Sequence, residues 1–132
     1  MSWIEDEAAR QAVFNANVAG VWAALKAALA RDVADYQKHF GLYDAETKER
    51  GDNGFVVMFQ EGSDRFTGRR DIHVAIDFDK LQVTAATTQT RSKMEFKIVP
   101  GDDGFPMFER SGKRYTADEA SREILKPHLS KV

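Results

Sequence analysis

Cysteine is absent from the 132 residues. That excludes a disulfide framework, a thiolate zinc site and a cysteine nucleophile, and it fits a reducing compartment. With 3 Pro and 9 Gly the chain holds no linker, repeat or low-complexity block. No apolar run matches the roughly 20 residues of a membrane span: Val18 to Ala30 is interrupted by Lys26. The opening residues, Ser2-Trp3-Ile4-Glu5-Asp6-Glu7, are acidic where a secretory signal would be basic. The expectation is a soluble cytoplasmic protein with no membrane partner.

Catalytic motifs are missing too. No His-x-His or His-Glu-x-x-His spacing exists, and His39 and His128 stand isolated near helix ends. Ser63, Ser92 and Ser111 occupy turn-like contexts outside any Gly-x-Ser-x-Gly elbow. The segment Gly62 to Gly68 lacks the lysine of a phosphate loop and leads into a strand. These absences lean against an enzyme and imply no metal and no cofactor.

What remains is a composition of 42% hydrophobic and 30% charged residues, enough for one α+β domain over residues 1–132 with a core of its own. The net charge of −2 is uneven. Residues 1–64 carry −5 and residues 65–132 carry +3, so the acidic half of one copy could face the basic half of another.

Residues 3 to 40 read as one helical region. Ser2 and Glu5 form a capping box, and Phe14, Val18, Trp22, Leu25, Leu29, Tyr36 and Phe40 recur at helical spacing up to Gly41. A straight helix of that span is about 55 Å long at 1.5 Å per residue. The expected radius of gyration is only about 14 Å. Asn15, Asn17 and Gly20 are the weakest helix formers present, which predicts a break near 15–20, or else a protruding helix covered by a second copy.

An antiparallel meander of four to five strands follows. Residues 55–60 are almost wholly apolar, and residues 70–79, 81–88 and 94–99 supply the next strands. Residues 44–54 read as a loop, while 105–115 fits an edge strand or a loop equally well. Thr116 and Glu119 form a second capping box, opening a C-terminal helix that Pro127 is expected to end or distort. The architecture implied is a two-layer sandwich, helix packed on sheet.

Three groups of side chains invite functional readings. Asp77 and Asp79 share a strand face about 6.6 Å apart, which would suit a hydrolytic or metal-dependent enzyme if other ligands joined them. A solvated outer sheet face accounts for them more simply. Basic residues such as Arg70, Lys93, Lys97 and Arg114 are interleaved with Phe66, Phe96 and Phe108, as in binders of single-stranded nucleic acid. However, the alternation puts Phe96 on the core side and mixes charge signs outside, which argues against nucleic acid. Ala75, Ala85 and Ala86 fall mid-strand opposite a helix carrying Trp22. That contrast of large and small suggests a pocket for a small apolar or amphiphilic ligand, lined by Phe14, Trp22, Met58 and Phe59.

Between residues 18 and 30 the helix is apolar on most sides, Lys26 being the only charge. Such a helix must be covered on most sides, and one sheet covers one stripe. The leading expectation is therefore a non-catalytic domain acting through protein–protein contact, including a homodimer.

Overall fold

The computed structural model describes residues 2–40, 45–60, 69–87 and 93–129. A helix α1 (Trp3–Phe40) precedes seven strands and a second helix α2 (Ala117–Leu129). The strands are β1 (Glu46–Arg50), β2 (Gly54–Gln60), β3 (Arg69–Asp77), β4 (Gln82–Thr87), β5 (Lys93–Pro100), β6 (Pro106–Arg110) and β7 (Lys113–Tyr115). They form one antiparallel sheet in sequential order, an α+β arrangement with more strands than the sequence implied.

Both additional features have physical reasons. The stretch expected as a loop holds β1, Glu-Thr-Lys-Glu-Arg, which pairs with β2 from Glu46↔Met58 to Arg50↔Gly54. An edge strand with charges on both sides lacks the apolar alternation that marks a strand in sequence, and those charges guard its open edge. Residues 105–115 resolve into β6 and β7, joined by a tight turn in which Ser111 and Gly112 have φ of 55° and 79°. Positive φ at both central residues matches the twist of the flanking strands.

No break interrupts α1. The two asparagines bond within the helix instead of against it: Gln11 Nε2 donates to Asn15 Oδ1 at 2.9 Å and Asn17 Nδ2 to the Val13 carbonyl at 2.7 Å. Phe14, Val18, Trp22, Leu25, Leu29 and Val33 are all buried in the core cluster, so tertiary packing carries the helix across its weak formers. The length is accommodated by exposure of residues 3–12. Pro127 lies inside α2, not beyond it. It falls in the last turn, after Ile124 and Leu125 are already buried, where one lost backbone bond matters least.

Strand alternation defines two faces. The inner face meets α1 and carries Phe55, Val57, Ile72, Val74, Ile76, Val83, Ala85, Phe96, Ile98, Phe108 and Tyr115. Phe96 makes edge-on ring contacts with Phe108 and Tyr115, at centroid distances of 6.3 and 5.9 Å. Ala75 and Ala86 belong to the outer face with His73, so only Ala85 of the three small residues looks toward the helix. α1 comes closest to β1, β2, β5 and β6, and its Trp22 and Leu25 are buried in the core shared with the sheet.

Two turns at one end of the sheet hold α1. In the β1–β2 turn a Cβ on Gly54 would stand 2.6 Å from the Arg50 carbonyl oxygen, which no side chain tolerates. In the β5–β6 turn Gly104 has φ of 89°, and its Cβ would lie 3.1 Å from the Arg10 carbonyl oxygen. Glycine there lets the turn rest directly on the helix backbone.

Candidate binding groove beside the first helix

Trp22 is 3% exposed. Its indole N–H donates to the Asp52 carbonyl oxygen at 3.2 Å, in the β1–β2 turn, and Lys26 Nζ lies 5.4 Å from its ring centroid. The apolar body of the indole thus enters the core while its one donor is satisfied at the rim. Phe14, 4% exposed, lies in the same core cluster. Met58 does not join them. It pairs with Asp71 and Glu46 on the outer face, the side opposite Val57. Phe59 is its neighbour along β2, and the Phe59 side chain lies outside the described residues. Adjacent strand residues point to opposite faces, so Met58 lies on the side of the sheet away from Val57 and the Trp22 core.

A groove does exist, one turn further along α1. It has a volume of about 400 Å³ and runs between Ala23, Lys26 and Ala27 of α1 and Thr47, Lys48, Glu49 and Phe55 of the first two strands. Its form follows from the sequence: Ala23 and Ala27 leave space beside the helix, and β1 stands opposite as a polar edge. Lys26 Nζ reaches Glu49 Oε1 at 2.7 Å across this gap. Lys26 keeps 19% of its side chain exposed and Glu49 keeps 66%, so the pair positions the strand edge more than it stabilises the fold. Lys26 stood out in sequence as the only charge in an apolar stretch. Glu49 did not, because β1 reads as loop.

Asp77 Oδ1 accepts the backbone N–H groups of Asp79 and Lys80, at 3.0 and 3.1 Å, and so caps the β3–β4 turn. Among the described residues no three His, Asp or Glu side chains gather as metal ligands. Phe96 and Phe108 are fully buried and offer no ring for a base to stack upon. Lys93 pairs with Glu95 at 2.9 Å, which holds the Glu95 carboxyl below its ordinary pKa, and Arg114 approaches Glu109 at 3.7 Å. Ser63, Arg65, Phe66, Arg91 and Ser92 lie outside the described residues, as do the side chains of Arg70 and His128.

No family model, curated protein or solved structure matches the chain.

Proposed function

We propose that this α+β domain is a non-catalytic module acting through protein–protein contact, self-association included, with the side of α1 turned away from the sheet as its contact surface. One observation carries the reading. The most apolar stretch of α1 is only 33% buried, and Ala16, Ala19, Ala23, Ala24 and Ala27 lie exposed along it. A helix so apolar on its uncovered side is stable in water when something else covers that side.

By length and composition α1 would also suffice to cross a bilayer, a test that core helices pass as well. Its large apolar side chains, Trp22, Leu25 and Leu29, are taken up inside the domain. The outward side offers alanine, which lets the backbone of another helix approach closely. A cytoplasmic setting goes with this reading and with the cysteine-free chain.

A second reading, binding of a small apolar or amphiphilic ligand, is favoured by the groove at Lys26, whose volume of about 400 Å³ lies within the range of ligand sites. Light scattering over a range of concentrations separates the two. Self-association predicts a mass of two chains at tens of micromolar and monomers for Ala16→Glu. A single-chain mass throughout, with stoichiometric binding of an apolar dye that Ala27→Trp abolishes, would favour the ligand reading instead.

A further inference from the structure

We propose that the start of α1 and the β5–β6 turn beside it form a docking site for a basic amphipathic segment of another protein. The site lies on a different side of α1 from its outward alanines, so the inference goes beyond the self-association reading and does not rest on it.

The first observation is an apolar stripe that outruns its cover. Ile4 precedes buried Trp22 by about five helical turns, and Trp3 precedes buried Phe14 by about three. Both therefore continue the stripe that packs into the core from Phe14 onward. Residues 3–12 are all exposed, Trp3 at 74% and Ile4 at 61%. The core-facing side of the helix thus overhangs its cover by about 15 Å.

The second is a neighbour of the same kind. Gly104 stands against the Arg10 backbone, which sets Phe105, 52% exposed, beside the base of the overhang. Phe78, in the β3–β4 turn, belongs to the same end of the sheet, because alternate turns of a meander share an end. Among the described residues these four are the exposed large hydrophobic side chains. Single exposed apolar residues are ordinary, whereas their gathering at one end marks an interaction surface.

The third is charge, and it selects the occupant. Glu5, Asp6 and Glu7 share the start of α1 with Trp3 and Ile4, while Asp102 and Asp103 share the β5–β6 turn with Phe105. Two cations answer these acids: Arg10 lies 3.8 Å from Glu7, and Arg114 lies 3.9 Å from Asp102. The remaining negative charge repels the same surface of a second copy, and anionic lipid and nucleic acid as well. It complements lysine or arginine flanking an apolar stripe, on a segment that lays one face along a helix.

The test uses the whole chain and a synthetic amphipathic peptide of leucine and lysine, about five helical turns long. A leucine–glutamate peptide of the same pattern is its counterpart. Of the two tryptophans Trp22 is buried and Trp3 exposed, so acrylamide quenching of the native fluorescence reads Trp3. The lysine peptide is expected to bind saturably and shield Trp3, and the glutamate peptide to do neither. Ile4→Glu, and separately Asp6→Lys combined with Glu7→Lys, change exposed side chains. Each is expected to weaken binding roughly tenfold or more. Ala16→Glu, on the outward side, is expected not to weaken it. Binding that survives the first two variants, or leaves Trp3 as open to quencher as before, would overturn the proposal. Equal binding of the two peptides, or loss of binding with Ala16→Glu, would do the same. So would failure of the lysine peptide to bind, or shielding of Trp3 by anionic vesicles in its place.

Discussion

Ser121, fully buried, donates its hydroxyl to Asp32 Oδ2 at 2.7 Å and so joins the second helix to the first. One turn earlier on α2, Asp118 accepts from Arg31 at 3.0 Å, so consecutive residues of α1 hold two successive turns of α2. The two anchors differ in surroundings. Asp32 keeps 31% of its side chain exposed, whereas Arg31 and Asp118 keep 53% and 70%. Ser121→Ala is expected to destabilise the domain by about 1–2 kcal/mol, the range for hydrogen bonds to a charged group with some access to water. Arg31→Ala is expected to shift the urea midpoint much less, since exposed pairs contribute little. Equal shifts would show that the buried hydroxyl is not the anchor.

The start of α2 confers a pH dependence. Glu119 accepts the Thr116 N–H at 3.0 Å while Thr116 Oγ accepts the Glu119 N–H at 3.2 Å, and these bonds hold the Glu119 carboxyl below its ordinary pKa. A carboxyl whose pKa is lower folded than unfolded stabilises the fold above the unfolded value. That contribution is lost as pH falls through the folded value. The difference in urea midpoint between the native chain and Glu119→Gln, which keeps the shape but cannot titrate, should be open at neutral pH and close on acidification. A gap that stays constant or widens would contradict the capping geometry.

Gly104 tests how the helix rests on the sheet. Gly104→Ala meets both a left-handed backbone and the Arg10 backbone at 3.1 Å, and is expected to cost about 1–3 kcal/mol. Gly112→Ala meets only the first, since open space surrounds Gly112 at φ of 79°. Its smaller loss isolates the strain term. Equal losses would mean that the β5–β6 turn does not bear on α1.

Much of this arrangement is legible from residue patterns, and the failures have physical causes. β3 and β5 alternate cleanly because one face of each is core and the other is wet. β2 is apolar on both faces, Val56 and Met58 being buried outside the main cluster. A continuous apolar run conceals which side each residue takes, and Met58 is consequently misread as a neighbour of Trp22. β1 is hidden by its charges. Trp22 announces its burial, but nothing in the pattern reveals that a carbonyl thirty residues away, at Asp52, receives its N–H. The groove followed the same logic: Lys26 was visible and the edge strand opposite it was not.

The covering of the outward side of α1 is read most directly by thiol reactivity. A single cysteine placed by Ala19→Cys, on the exposed side of the helix, and another placed by Ser111→Cys, in the distant β6–β7 turn, are alkylated with a soluble reagent at rising protein concentration. The rate at position 19 should fall as the chains associate while the rate at 111 holds. Two rates that stay level together, at concentrations where α1 should be occupied, would contradict a protein surface on that helix.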